Sequence, residues 1–370
     1  MKTDKVKFNR IAVKVGSNVI TQNDGSLNES RILRIVEDIA VLSKQGIEVI
    51  LISSGAVAAG RNEVSPSKRT NVIAAKQIWA AIGQVKLMSC YQFLFGKYGI
   101  QAAQVLATKE SFRDRSHYLN MKNCISAMID NKVLPVVNEN DTISITELMF
   151  TDNDELSGLI SSMMDCNSLI ILSNVDGIYT GIPGVEGNEL IKEIDEETED
   201  VEKYITIAKS GFGRGGMLTK CSIARKIASQ GIDVFIANGT RDSVISDIVR
   251  RKDIPYTHFI ANNKKESGVK KWLSHSFTFA KGEVTVNDGA REALLGEKAS
   301  SLLLVGITKV HGSFKKGDIV NIIDEEGNKI GLGKSHYDSK KAEQLLGEKH
   351  GKPFIHYHFL VIDEKIKSTV

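Results

Sequence analysis

The stretch "FTDNDELSG" sets Asp152, Asn153, Asp154 and Glu155 in four consecutive positions, with "VLPVVN" upstream and "LISSMM" and "LIILSNVDG" downstream. Two lysines stand beside glycine-containing segments elsewhere, Lys14 in "KVGS" and Lys220 at the end of "GFGRGGMLTK". These are the parts a phosphoryl-transfer site needs. Glycine loops let backbone N–H groups approach phosphates. Lysines at separate strand and helix ends hold a transferring phosphoryl group by charge, and such chemistry is mostly positioning plus electrostatic stabilisation. A carboxylate between them, Asp154 or Asp152, orients the two ammonium groups and offsets their repulsion. Mg²⁺, which accompanies nucleotide phosphates, takes one or two carboxylates. The same acids also suit an N-capped first helical turn, and both readings can hold together.

Each glycine segment has a plainer reading as well. The glycines of "KVGS" and "SSGAVAAG" follow strand-like runs, where a glycine is more often only a turn. "GFGRGGMLTK" gathers four glycines ahead of the helical run "MLTKCSIARKIASQ". It is not a GxxxxGK[ST] loop, and a surface loop without a ligand stays open as an alternative. The acid run "EIDEETEDVEKYI" reads as a solvated loop rather than a metal site.

The elements that must position these residues alternate between two periodicities. "RIAVKVGSNVI" is a short buried strand. "NESRILRIVEDIAVLSKQG" places Ile32, Ile35, Val36, Ile39 and Leu42 on one helical face and stops at Gly46. The alternation recurs at "IEVILISSG", "GIQAAQVLA", "YLNMKNCISAMIDN", "VLPVVNEND", "SLIILSNVDG", "KCSIARKIASQG" and "IDVFIANG". Apolar strands alternating with amphipathic helices predict an α/β fold with a parallel sheet covered on both faces. Ligands then bind beyond the carboxyl ends of the strands. That edge gathers Lys14 to Ser17, Ser53 to Ala56, Asn138 to Asp141 and Ser173-Asn174.

Composition narrows the class. A chain of 370 residues is expected to form about two domains. Hydrophobic content of 42% and charged content of 25% fit a globular protein, and a net charge of +3 argues against a chain built for nucleic acid. No apolar run reaches the roughly 18 residues of a membrane span, and "MKTDKVKFNR" lacks a signal-peptide core. Cys90, Cys124, Cys166 and Cys221 lack metal-ligand spacing and read as buried, reduced thiols of a cytoplasmic protein.

The segments "VKVGSNVIT", "ISSGAVAAG", "KQIWAAIGQ", "AQVLATKESFRDRSHYLN", "LPVVNENDT", "FTDNDELSGLI" and "GRGGMLTK", in that order, resemble the amino acid kinase family. The likeness runs from Val6 to about Asn262 and is nearest to members that act on L-glutamate. It implies a mostly parallel sheet sandwiched by helices. It also implies ATP-dependent phosphorylation of the γ-carboxylate of L-glutamate, with Mg²⁺, at the first step of proline biosynthesis. Lys14 and Lys220 would stabilise the transferring phosphoryl group and Asp154 would organise them. Ser54, Asp141 and Asn153 would bind glutamate, with Asn138 nearby and Gly55 and Ala56 lending backbone. Lys14, Ser173, Asn174 and Arg214, Gly215, Gly216, Met217, Leu218, Thr219 and Lys220 would line ATP, and Asp152 would face Mg²⁺. An ionised carboxylate nucleophile needs no general base, in keeping with motifs that contain no catalytic His; His117 reads as structural. Three residues depart from the family's habit: Asn174 for Asp, Arg214 for a small polar residue and Thr151 for Gly. Related carboxylate or carbamate kinases remain the competing class, although Ser54, "NEND" and "TDND" favour glutamate over N-acetylglutamate.

After Asn262 the texture changes. "NNKKESGVKK" reads as a linker, and strands and turns follow from about Ser276, with "DEEGNK" as a turn. "NDGAREALL", "SSLLLVGI" and "GSFKKGDIV" resemble a PUA domain, a small β-barrel-like module. The expected organisation is a kinase domain at 1–262, a linker at 263–275 and the PUA domain at 276–370. RNA is the obvious partner of such a module. From Ser276 onward, however, 14 Lys and Arg face 13 Asp and Glu, which argues against an RNA reader and for a part in assembly or regulation. The family resemblance further implies feedback inhibition by L-proline, a homo-oligomer (dimer or tetramer) and contact with the next enzyme of the pathway.

Overall fold

The structure, a computed structural model, describes residues 8–113, 115–144, 150, 152–183, 185–195, 198, 216–262, 280–296, 300–348 and 352–362. The chain divides into two compact units, Met1–Lys265 and Glu266–Val370. The linker expected at 263–275, most of the acid run, Thr151, Arg214 and Gly215 lie outside the described residues.

In the first unit the apolar runs become strands and the 3.6-residue patterns become helices. The order is β1 (Arg10–Val15), α1 (Ser17–Ile20), α2 (Glu29–Lys44), β2 (Glu48–Ser53), α3 (Ala56–Arg61), α4 (Val72–Gly96), β3 (Gln101–Ala107), α5 (Lys109–Arg113), α6 (Arg115–Asp130), β4 (Val133–Glu139), α7 (Asn153–Met163), β5 (Ser168–Ser173), β6 (Glu193–Ile194), α8 (Gly216–Ala228), β7 (Asp233–Asn238), α9 (Val244–Val249) and β8 (Tyr256–Phe259). The eight strands form one sheet in the order β3-β4-β2-β1-β5-β7-β8-β6. Every pairing is parallel except β7 with β8. The antiparallel partner was not foreseen. "YTHF" is only four residues long and half-buried in alternation, so it lacks the continuous apolar run of its neighbours.

The central strands are buried on both faces, which is why they read as unbroken apolar runs. The predicted face of α2, Ile32, Ile35, Val36, Ile39 and Leu42, is buried throughout. Asn28 caps this helix by accepting the Arg31 N–H at 3.1 Å, and the chain leaves it through Gly46 at φ +81°. Of the cysteines, Cys166 and Cys221 are buried as expected, but Cys90 is half-buried and Cys124 exposed. Cys124 lies on the outer side of α6, where Tyr118 and Ile125 are the buried positions. No helix among the described residues is long and apolar enough to cross a membrane.

The sequence "SSGAVAAG" does two separate jobs. Gly55 turns the chain after β2 at φ +103°, whereas Gly60 serves helix packing. A Cβ on Gly60 would lie 1.9 Å from the Trp79 carbonyl oxygen, and one on Gly83 would lie 1.8 Å from that of Ala56. Helices α3 and α4 therefore touch backbone to backbone.

The second unit is built from β9 (Gly282–Val286), α10 (Asp288–Leu295), β10 (Ile307–Gly312), β11 (Ile319–Ile323), β12 (Lys329–Lys334), α11 (Ser339–Gln344) and β13 (Leu360–Ile362). Its five-stranded sheet runs β10-β9-β11-β12-β13, with only β9 and β11 parallel. Val284, Phe314, Val320, Ile322, Ile330 and Phe354 belong to its own core. "DEEGNK" is the foreseen turn, with Gly327 at φ +85° and Asp324 accepting the Asn328 N–H at 2.7 Å.

Gly83→Ala is expected to destabilise the first unit by about 3 kcal/mol, the upper range for forced overpacking. Urea unfolding followed by far-UV circular dichroism checks it, and an unchanged midpoint would contradict the close α3–α4 approach.

Candidate active site

Helix α7 begins where the sequence concentrates its acids. Asp152 is the N-cap: its Oδ1 accepts the N–H groups of Asp154 at 2.9 Å and Glu155 at 3.2 Å. The cap fixes the first turn, and the first turn aims Asp154 inward, where its side chain is 0% exposed. A carboxylate taken out of water needs charge partners. Lys14 Nζ meets Oδ1 at 2.5 Å and Lys220 Nζ meets Oδ2 at 2.9 Å. Among the described residues no other hydrogen-bond donor reaches either oxygen. Lys14 comes from β1 at the centre of the sheet, and Lys220 from the second turn of α8, which packs on α7. Gly158 lets the two helices meet, since a Cβ there would stand 3.1 Å from Ile227.

Burial alone would raise the Asp154 pKa. The Lys14 and Lys220 ammonium groups outweigh it and hold the carboxyl below its usual value of 3.8. Asp152 moves the other way, pushed up by burial and then by the neighbouring Asp154 charge. Two ammonium groups thus meet two neighbouring carboxyl groups, Asp154 in direct contact and Asp152 beside it. Asp152 suits a cation ligand: one oxygen is committed to backbone N–H groups, and the other enters no hydrogen bond among the described residues.

Beside this triad lies a polar cluster. Asn153 Nδ2 donates to Ser54 Oγ at 2.9 Å and to Asn138 Oδ1 at 2.8 Å. Asn138 Oδ1 also accepts the Glu139 N–H at 2.8 Å. Ser54 follows β2, and Gly55 and Ala56 turn the chain into α3. Asn138 is buried at the penultimate position of β4. Asp141 stands apart from the amides and pairs with Lys76 at 3.0 Å. Ser173 ends β5 beside β1, with exposed Asn174 after it. Gly216 through Lys220 open α8.

The structure thus brings Lys14, Asp154 and Lys220 into contact, and Ser54, Asn138 and Asn153 into contact. It does not join Asp141 to either group. Lys76, Gln84, Tyr91 and Glu139 join the surroundings of the site without having been foreseen there. Tyr91 hydroxyl meets Ser53 Oγ at 2.8 Å. Glu139, its carboxyl pushed up by burial, accepts the Phe150 N–H at 2.9 Å and so ties the acidic segment to β4. The available signal was Gln84, an amide among the mostly apolar buried positions of α4.

Residues 9–238 match the amino acid kinase family and residues 282–356 match the PUA domain. A protein described as glutamate 5-kinase in Bacteroides thetaiotaomicron is 52% identical over 360 residues, covering 97% of this chain and 100% of the relative. Another so described, from Chlorobaculum tepidum, is 48% identical over 356 residues, covering 96% and 98%. Among solved structures, carbamate kinase from Giardia lamblia bound to AMP-PNP superposes with a TM-score of 0.51 at 15% identity, over 69% of this chain and 99% of that one. That last likeness speaks for the fold alone.

Asp154→Asn is expected to cost about 3 kcal/mol at pH 7, because it leaves the buried Lys14 ammonium without its counter-charge. The depressed pKa makes the carboxylate's contribution complete above 3.8 and lost as pH falls through the lower folded value. The gap between variant and wild type should therefore close on acidification. Urea melts at pH 7 and across the acid range measure it, and a pH-independent gap would rule out the charge origin.

Proposed function

The chain belongs to the amino acid kinase family, and from that premise we propose that it transfers the γ-phosphoryl group of ATP to the γ-carboxylate of L-glutamate. The products are L-glutamyl 5-phosphate and ADP, the first step of proline biosynthesis. The observation that carries the reading is Asp154 held between two ammonium groups from different elements. Nearly full-length identity to proteins described as glutamate 5-kinase supports the substrate.

In the reaction an oxygen of the substrate carboxylate attacks the γ-phosphorus, a new O–P bond forms, and the bond to the β-phosphate oxygen breaks to release ADP. The nucleophile is already ionised, so no side chain must remove a proton. Lys14 and Lys220 flank the transferring group and neutralise its equatorial oxygens. Asp154 keeps both lysines apart and aimed. Ser54, Asn153 and Asp141 take the amino-acid end, with Asn138 behind them and Gly55 and Ala56 offering backbone. Ser173, Asn174 and the segment from Arg214 through Lys220 line the nucleotide. Asp152 would hold Mg²⁺ together with the nucleotide phosphates, where the ion offsets phosphate charge.

The kinase domain spans 1–262 and the PUA domain 276–370, joined by 263–275, in a cytoplasmic homo-oligomer. L-Proline competes with glutamate near Asn138 to Asp154, a stretch that carries both glutamate-binding amides and Asp154 of the phosphoryl triad. The PUA domain serves assembly or this response rather than RNA.

A coupled assay should show turnover with L-glutamate and little with N-acetylglutamate or L-aspartate. Lys220→Ala should lower kcat by about 100-fold or more, since one charge contact made in the transition state contributes about 3 kcal/mol, while glutamate binding by titration stays within about threefold. Wild-type kcat in that variant would sink the assigned role. Adding L-proline should raise the apparent KM for glutamate without changing kcat. A fragment of residues 1–262 should retain turnover with an altered proline response. A saturation curve indifferent to proline, or a folded but inactive fragment, would overturn the corresponding claim.

A further inference from the structure

A file of side-chain amides runs inward from the edge of the sheet to the candidate glutamate subsite. Gln84 Nε2 donates to Gln104 Oε1 at 2.8 Å, Asn138 Nδ2 donates to Gln84 Oε1 at 2.8 Å, and Asn153 Nδ2 donates to Asn138 Oδ1 at 2.8 Å. Each amide has a polarity, and one backbone group sets them all. The Glu139 N–H can only donate, and it points at Asn138 at 2.8 Å. The atom it meets must be the Asn138 carbonyl oxygen, so the Asn138 NH₂ faces Gln84. The atom of Gln84 that receives it must in turn be the carbonyl oxygen.

The same logic runs the other way. Asn153 presents its NH₂ to Asn138 Oδ1 at 2.8 Å and to Ser54 Oγ at 2.9 Å, with the Ser53 carbonyl as a longer third acceptor at 3.5 Å. Both Asn153 protons are thereby used. Its Oδ1 receives no donor among the described residues and is left as an acceptor facing away from the cluster. Ser54, accepting from Asn153, keeps its own hydroxyl proton to give. The subsite therefore offers one acceptor and one hydroxyl donor in a fixed order.

We propose that Gln84 is a positioning residue that locks this order, so that the subsite selects a ligand with an N–H donor for Asn153 Oδ1 and an oxygen acceptor for the Ser54 hydroxyl. An α-ammonium next to an α-carboxylate supplies that pair, so the proposal rests on the glutamate reading above. Gln84 is buried on α4, and among the described residues its amide bonds Gln104 and Asn138 rather than the triad. Without its carbonyl, the buried Asn138 NH₂ has no acceptor. Turning Asn138 over to find one would set its NH₂ against both the Glu139 N–H and the Asn153 NH₂. The disturbance thus passes to the amino-acid end and not to the lysines. At the far end Gln104 is exposed and free to turn, so the anchor is Glu139 and the lock is Gln84. Helix α4 is itself held in place, by the Gly60–Gly83 contact and by Tyr91 on Ser53.

The test compares Gln84→Met and Gln84→Glu with wild type, using KM for L-glutamate, KM for ATP and competitive inhibition by glutarate, which lacks the ammonium. A buried amide left without its acceptor predicts a rise of about tenfold or more in the glutamate KM of the Met variant. Its ATP KM should stay within about twofold, and its preference for L-glutamate over glutarate should narrow. The Glu variant still gives Asn138 an oxygen, and exposed Gln104 can turn its NH₂ to the other one, so its glutamate KM should stay within about threefold. An unchanged glutamate KM in the Met variant, an equal rise in its ATP KM, or a Glu variant as impaired as the Met variant overturns the proposal. Should the Met variant fail to fold, the Glu variant decides, and a rise beyond threefold counts against. If wild type turns over L-glutamate and these outcomes fail, only the lock is wrong. If wild type does not accept L-glutamate, the substrate reading and the lock fall together.

Discussion

Asp154 has no route to burial except through Lys14 and Lys220. A carboxylate removed from water is costly, and no backbone N–H or hydroxyl among the described residues shares the burden. Three elements distant in sequence must therefore converge: the central strand β1, the start of α7 and the second turn of α8. The lysines depend on the carboxylate in turn, since two ammonium groups this close would otherwise repel. The two ammonium groups gather with Asp154 and the neighbouring Asp152 at the sheet edge, and cations so placed suit the negative charge of a phosphoryl group in transfer. Stability and chemistry thus draw on the same three side chains.

Around that constraint the fold supplies rigidity through close backbone contacts. Gly60 and Gly83 bring α3 and α4 together, and α4 then reaches two strand ends at once. Tyr91 holds Ser53 at the end of β2, and Gln84 holds Asn138 near the end of β4. Asn153 bridges those strand ends to α7, one residue before Asp154. The proposed amino-acid subsite and the Lys14–Asp154–Lys220 triad are thereby registered to each other by a single helical turn. Glu139 adds a further tie through the Phe150 N–H. Binding geometry on rigid elements, rather than on loops, keeps reacting atoms in line.

What could be read from the residues alone was whatever is local. The apolar face of α2, the buried strands, the caps and turns and the helix-starting role of Asp152 all depend on neighbours within a few positions. Strand ends place Lys14, Ser54, Asn138 and Ser173 on one edge because a parallel sheet admits few alternatives. That a carboxylate stands between the two lysines followed from charge, which left Asp154 and Asp152 open, and the family resemblance pointed to Asp154. The antiparallel β8 and the exposed Cys124 escaped, because a short half-buried run and a lone cysteine carry no periodic signal.

Only the tertiary structure decided which polar residue answers which. Asn138 and Gln84 are 54 positions apart, and Asn153 and Ser54 are 99 apart. Nothing in either local sequence states that the amides share one direction, or that Asp141 turns to Lys76 and not to them. Gly55 and Gly60 sit in one glycine motif, yet Gly55 turns the chain after β2 and Gly60 serves helix packing. Hydrogen-bond polarity and close backbone approach belong to pairs of residues brought together by the whole fold. Periodicity and capping belong to one stretch of chain, which is why the sequence could determine the elements and the chemistry but not the lock between them.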